Sequence, residues 1–419
     1  MKSYKISLVI LAILLSSFVY SFTLSISQDS LSPNANIRAS SYTGVSHYQV
    51  SQSVTYQVEL NYTFTHTRIL AQSYFFKVAR LNDREPNSTI TQYCPPYQQS
   101  QLLYNSITGY DTIIYDSLDK FNNTYDLFNA TLSTSDNITL SQKYVITLNE
   151  VSFDNIQSSD IGTYNTSDPM FDLYCNKSET YYDRNDPDLI SASNSIVSPT
   201  DNSLEKARKI ANWVADYLTY DGTLPAQEMG ASWAYDNKRG DCSEYSTLMI
   251  TLLRIQGIPA RKVTGYLLSS NSALKPDVGQ VFNFYANSLG SSNVLGHAWV
   301  EYYIPNIGWI AAEPQNPSYY KKIGFLRFNL NIGAWFFMPG ATPPYDYISE
   351  FPIIPSPVCS DHSAYTFDYT MKITILDTNY ITFDFITLLI IIGVVAAVVV
   401  VITLIIRSGK KKHADEINY

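Results

Sequence analysis

The stretch Arg239 to Ser246, RGDCSEYS, places a cysteine between a Gly-Asp pair and the first turn of an expected helix. A thiol so placed can act as a nucleophile if a base, and a group that orients the base, are brought to it. The chain has five histidines, His47, His66, His297, His362 and His413. Of these, His297 opens the segment GHAWVEYYI, which is followed by a short turn at Pro305 to Gly308 and then by GWIAAEP. The two segments read as a hairpin. If Ile304 pairs with Gly308, Glu313 lies opposite Trp299 and diagonal to His297 on the same face. Cys242, His297 and Glu313 thus form a candidate set of nucleophile, base and orienting acid. Their chemistry would be thiolate attack on an amide carbonyl, protonation of the leaving amine by His297, and an acyl-thioester on Cys242. Water would then complete a hydrolysis, and an amine an acyl transfer. The backbone N–H of Cys242 can donate to the oxyanion, with Tyr220 or Trp233 as a second donor.

These residues need elements to hold them. Asp241 is a good N-cap with Glu244 three positions on, a capping box. Leu248, Leu252 and Ile255 continue an apolar face, Gly257 ends the helix and Pro259 prevents its resumption. Cys242 is then the first helical residue, where the helix dipole favours a thiolate. An earlier helix, capped by Asp201, carries the stripe Leu204, Ala207, Ile210, Ala211, Val214, Ala215 and Leu218. After the Cys242 helix, ARKVTGYLL reads as a strand, and a polar loop from Ser269 to Gly296 leads to the His297 segment and borders the cleft. Trp299, Trp309 and Tyr266 read as core, Glu301 as a strand-face ion-pair partner and Arg261 as a brace. The Asp183, Asp186, Asp188 cluster could in principle hold a cation but reads rather as a solvated loop before a helix, and Cys359 with His362 offers two metal-binding atoms without a second pair, so both read as loops and no metal or other cofactor is expected.

The run RGDCSEYSTLMITLLRIQGIPARKVTGY, followed by GHAWVEYYIPNIGWIAAEP, resembles the core of the transglutaminase-like superfamily of papain-related thiol enzymes. Members show G-x-C at the helix start, G-I-P-A-R after it, H-A-W-V-E on a strand, and G-W with an acid-Pro pair. The resemblance covers roughly residues 185 to 320. It implies a papain-like core, a helix bearing Cys packed on an antiparallel sheet, with Cys242 as nucleophile, His297 as base and Glu313 as orienting acid. The family usually has Asp where this chain has Glu313, and Thr where it has Gln315. By the family's usual side-chain length, an Asp at 313 is expected to work at least as well as the Glu.

The first half reads differently. The segment from Tyr48 to Lys77 and the run KYVITLNEVSF at Lys143 to Phe153 are rich in Val, Thr, Tyr and Phe with period-two alternation, the pattern of an antiparallel β-sandwich. It resembles β-domains that often precede such a core. N-glycosylation sequons stand at Asn61, Asn87, Asn122, Asn129, Asn137, Asn165 and Asn176, and none follows residue 180. Bulky glycans would obstruct a working face, so the second half is the expected working half. Of the four cysteines, Cys242 is expected to remain a thiol, and Cys94 and Cys175, both in the sandwich half, are expected to form a disulfide.

The ends place the chain. Lys2 and Lys5 precede ISLVILAILL, the layout of a secretory signal, or of an anchor if it stays uncleaved. Ile386 to Ile406 is uncharged and long enough to span a bilayer, and Arg407, Lys410, Lys411 and Lys412 mark its cytoplasmic side. The net charge of -9 argues against nucleic acid as a partner. The expected α+β organisation is a signal peptide at 1–22, a β-sandwich at 23–182, a transglutaminase-like domain at 183–339, a proline-rich stalk and membrane-proximal segment at 340–382, a transmembrane helix at 383–406 and a tail at 407–419. The expected function is that of a single-pass cell-membrane enzyme, with its ectodomain outside, acting on protein or peptide amides. The rival from another class is a catalytically silent surface module that uses the same fold for binding or envelope architecture.

Overall fold

Period-two alternation puts Val54, Tyr56, Val58, Leu60, Tyr62, Phe64 and His66 on one face of strand β1 (Tyr48–His66), and all seven are buried. The computed structural model describes residues 47–81, 94–119, 121–179, 181–224, 228–333, 353–361 and 363–380, together with 336–337, 347–348 and a few positions between 393 and 403. The fold is mixed α+β with mostly antiparallel sheets. The first half contributes β1, β2 (Gln72–Ala79), β3 (Gln98–Thr108), β4 (Thr112–Leu118), β5 (Thr124–Leu132) and β6 (Asn137–Phe153). They divide between two sheets whose inward side chains share one core with Tyr266, Phe284 and Phe328.

Four strands of those sheets come from later in the chain, among them Lys322–Ile323, which pairs with β6. Val281–Asn287, inside the segment expected to be a polar loop, pairs with Tyr365–Asn379, and that strand pairs with β1 from Ser53 to His66. Pro357–Val358 pairs with β2. The segment 340–382, expected as a stalk, is therefore corrected: much of its second half is sheet. The reason is visible in YTFDYTMKITILDTN, where Tyr369, Met371, Ile373 and Ile375 alternate and are buried. The putting together of a sandwich from 23–182 alone is corrected in the same way.

The second half centres on the helix Cys242–Ile255, buried on every side from Glu244 to Arg254. It packs against the strands Gly296–Ile304 and Ala260–Leu267 of a four-stranded antiparallel sheet ordered Gly308–Ala312, Gly296–Ile304, Ala260–Leu267, Arg327–Ile332. The helix Ser203–Tyr217 covers it with Ala207, Ile210, Ala211 and Val214. That helix is capped by Asn202 in a capping box with Glu205, not by Asp201, which accepts from Ser198 N and Lys209 instead. Side-chain amides from the sandwich half finish the outer edge of the sheet. Gln98 exchanges two hydrogen bonds with the Asn329 backbone, and Asn123 does the same with Ile332. Edge groups that would otherwise lack partners are thus paired.

Cys94 and Cys175 are not joined. The Cys94 sulfur accepts from Arg261 Nη2 at 2.9 Å, while the Cys175 thiol lies 3.8 Å from the Arg254 carbonyl oxygen, so the expected disulfide is corrected. Of the sequon asparagines, Asn61, Asn137, Asn165 and Asn176 are exposed, Asn122 and Asn129 are half-buried, and Asn87 lies outside the described residues. The expected signal peptide, the cytoplasmic tail, His362 and His413 also lie outside them, as does most of the expected transmembrane segment. Among the described residues no helix is long and apolar enough to cross a membrane, and no group of three or more acidic, His or Cys side chains is placed to hold a metal.

Candidate active site

The chain enters the Cys242 helix through a tight approach. Gly240 lies where an added Cβ would sit 2.3 Å from the Glu244 Cβ, so any larger residue would push the first turn away. Asp241 caps it by accepting from Ser243 N at 2.7 Å, and Glu244 reaches back to Asp241 N at 3.1 Å. Arg239–Gly240 pairs in parallel with Thr219–Tyr220, which carries Tyr220 to the mouth of the cleft beside Cys242. The Cys242 thiol is partly exposed there.

Acidic groups crowd this helix end. Glu228 accepts from Ser243 Oγ, Thr247 Oγ1 and Lys262 Nζ, the last at 2.6 Å. Burial, then the neighbouring Asp241 and Glu228 charges, push the Glu244 carboxyl up to about 7. The dipole that alone would favour a thiolate is therefore shared among carboxylates. The cation that faces the thiol is His297.

The hairpin register puts it there. Ile304 pairs with Gly308 and Val300 with Ala312, which leaves Glu313 one step beyond the paired residues, across from Trp299. His297 Nε2 donates to Glu313 Oε2 at 2.6 Å, the ring packs at 6.1 Å from Trp299, and the other ring nitrogen is left for the Cys242 side chain, whose nearness helps to raise the His297 pKa. Burial lowers the imidazole's affinity for a proton, but the Glu313 charge and the Cys242 contact outweigh it, and the His297 pKa is raised to about 9. Burial raises the Glu313 carboxyl, yet His297 and Arg327 outweigh that and hold it below its ordinary range.

The three side chains line a cleft of about 360 Å³, within the size of small-ligand sites. Its walls combine Leu267, Leu295 and Leu326 with Ser269, Ser270 and Ser272. The structure thus brings together Cys242, His297, Glu313 and Tyr220. Trp233 is not among the lining residues; the Arg239 guanidinium lies 5.6 Å over its ring. Glu301 and Arg261 form a buried pair at 2.7 Å deeper in the same sheet. Asp186, from the acidic cluster, caps the helix Pro187–Ile196.

Arg327 escaped the sequence reading. It opens the strand Arg327–Ile332 opposite Leu267, and its Nη2 donates to Glu313 Oε2 at 3.0 Å, the oxygen that His297 also uses. A lone Arg in FLRF carries no local signal of this; only the pairing with the Ala260–Leu267 strand brings it to the cleft.

Residues 190–314 match the family model described as the transglutaminase-like superfamily. The chain is 29% identical over 120 residues to the uncharacterized protein YebA of Bacillus subtilis, a match covering 27% of this chain and 15% of that protein. It is 36% identical over 80 residues to a protein-glutamine gamma-glutamyltransferase of Pseudomonas aeruginosa, covering 19% of this chain and 10% of the relative. Among solved structures, a candidate cysteine protease of Cytophaga hutchinsonii aligns at 14% identity over 81% of this chain and 96% of its own, with a TM-score of 0.47. The curated relatives are thus matched over a small part of their length. Residues 190–314 are a domain of the transglutaminase-like superfamily.

Proposed function

We propose that this protein is a thiol enzyme acting on amide bonds, with Cys242 as nucleophile, His297 as general base and acid, and Glu313 as the group that orients the imidazole. The observation that carries the reading is that Cys242, His297 and Glu313 line one cleft, with His297 hydrogen-bonded to Glu313 at 2.6 Å and its proton held more tightly by both neighbours. In the attack, the Cys242 sulfur adds to the amide carbon while the imidazolium gives its proton to the departing amine, and the acyl group stays on sulfur. The Cys242 backbone N–H and the Tyr220 hydroxyl are the groups proposed to face the oxyanion. Hydrolysis and acyl transfer share every step to this thioester and differ only in whether water or an amine takes the acyl group. His297, having lost its proton, is the base for either.

Sequence features support a place outside the cell, with the Ile386 to Ile406 run as a single anchor, the basic residues after it in the cytoplasm, and a protein or peptide as substrate. Protease applied to whole cells should then release the ectodomain, and a protected ectodomain would reverse the orientation.

The decisive experiment labels the full-length protein in detergent with an amide-directed thiol probe near neutral pH, beside Cys242→Ala. Labelling confined to the parent supports the enzyme reading. Equal labelling of the two would replace it with that of a binding module.

A further inference from the structure

We infer that Arg327 is a positioning residue of this site: it clamps the Glu313 carboxylate onto His297, and by doing so it makes a glutamate, and not an aspartate, the working acid. The inference rests on the thiol-enzyme reading and adds to it a residue from a different strand.

The geometry is specific. Glu313 Oε2 accepts from both His297 Nε2, at 2.6 Å, and Arg327 Nη2, at 3.0 Å. Its other oxygen, Oε1, is buried with no hydrogen-bond partner among the described residues, and so is Arg327 Nε. A carboxylate held by one atom would turn about its own axis unless a second donor fixed that atom, and glutamate has one more rotatable bond to fix than aspartate. The backbone is already pinned, because Glu313 N donates to Tyr319 O and Asn316 N donates to Glu313 O. Freedom at this residue is therefore in the side chain alone. Arg327 restrains it from a separate strand, Arg327–Ile332.

Arg327 is itself held by construction. Gly265, the partner of both His297 and Asn329, lies where a Cβ would come within 1.8 Å of the Phe328 carbonyl oxygen, so the strand that Arg327 opens passes unusually close to the strand behind His297. The Gln98 side chain fixes the same strand from outside at Asn329. From the pinned backbone at 313, an aspartate ends one methylene short of the point where the His297 and Arg327 donors converge. It can satisfy one of them.

This reverses what side-chain length alone would suggest for Glu313→Asp. With Arg327 present, the aspartate is drawn from His297 and the site should weaken. Without Arg327, the aspartate has one donor to serve, and the loss should be smaller.

The test uses the full-length protein in detergent and two readings. The first is the rate of Cys242 alkylation by iodoacetamide at pH 7, with Cys242→Ser as the blank. The second is the His297 titration followed by NMR of histidine-labelled protein, the resonance being assigned by its loss in His297→Gln. The titratable and charged groups lining the cleft are Tyr220, Cys242, His297, Glu313, Tyr319 and Arg327. Arg327→Gln, in protein with parent-like circular dichroism, should slow alkylation about tenfold and move the His297 titration down toward the ordinary histidine range of about 6.5, because the Glu313 contact that raises it is loosened. Arg327→Lys should recover most of both, since it keeps a charged donor. Glu313→Asp should lose more in the parent than in the Arg327→Gln background. Parent-like rate and titration in Arg327→Gln, or equal losses for Glu313→Asp in both backgrounds, would overturn the clamp while leaving Cys242 reactive. A parent thiol no faster than that of a small-molecule thiol would instead remove the enzyme reading, and the clamp with it.

Discussion

One strand, Gly296–Ile304, carries two buried acid–cation pairs on the same face, and they are built for different ends. At its start His297 meets Glu313, and at Glu301 it meets Arg261 across the Ala260–Leu267 strand at 2.7 Å, with Trp299 between them. Both acids are almost wholly out of solvent. The inner cation is a guanidinium that stays charged at any ordinary pH and also lies 3.8 Å over the Trp309 ring. The outer one is an imidazole whose proton can leave, set beside a thiol on an open cleft. Burial and ion pairing are therefore shared properties of a brace and of the proposed catalytic base. What separates them is a cation that titrates and a path to solvent.

The comparison can be broken by substitutions whose effects should run in a definite order. His297→Gln should lower the rate of probe acylation at Cys242 by about 10²–10⁴-fold while the protein keeps its circular dichroism; an unchanged rate would make the outer pair a second brace. Glu301→Gln should do the opposite, costing about 3–5 kcal/mol of stability in urea unfolding because Arg261 is left charged and buried, with the folded fraction still labelling at Cys242. Loss of labelling without loss of stability would move Arg261 and Glu301 into the chemistry.

The pH dependence sharpens the contrast. Because the His297 pKa is raised to about 9, the stabilisation from its protonated form is complete below the ordinary histidine value and is lost as pH climbs through about 9. Glu313 is shifted the other way, so its share is present above the ordinary carboxylate range and lost as pH falls through its lowered value. Between pH 6.5 and 9 the parent should lose up to about 3 kcal/mol, and amide turnover should decline over its alkaline end as the general acid disappears. Urea unfolding of His297→Gln should lack this step; a step of equal size in both would assign it elsewhere. Smallest of all, Lys177→Ala breaks an ion pair of 2.8 Å whose two side chains are mostly exposed, and it should change stability by about 0–1 kcal/mol. A larger loss would show that exposure does not set the scale for ion pairs in this fold.

How far the sequence revealed these things depends on whether the signal was local. The capping box of Asp241 and Glu244, the stop at Gly257, and the hairpin register of Ile304 with Gly308 are encoded within a few residues of where they act, and each is found in the structure. The opposition of Glu313 and Trp299 follows from that register. Arg327 was invisible because its place depends on pairing with Leu267, far away in the chain. The disulfide expectation failed for a similar reason: position in one half of the sequence says nothing of distance when Cys94 packs on Arg261 and Cys175 near Arg254. Tyr365–Asn379 is an intermediate case, for its alternation was present but was masked by the proline-rich stretch before it and the apolar run after it. Val281–Asn287 gave less, since only Phe284 and Ala286 of that strand are buried.

The pairing of β1 with Tyr365–Asn379 has a consequence for how the molecule is made. Until the ribosome has released residue 379, β1 has a partner on one side only, β6, and the other side offers unpaired amides to any neighbouring chain. Local contacts can assemble the Cys242 helix and the His297 hairpin early, but closing the large sheet must join segments at opposite ends of the described chain, a slow step because loop closure comes before its reward. A nascent or truncated chain lacking that strand should carry a formed hairpin beside an open, adhesive sheet edge, and should therefore depend on chaperones during synthesis far more than the finished protein does.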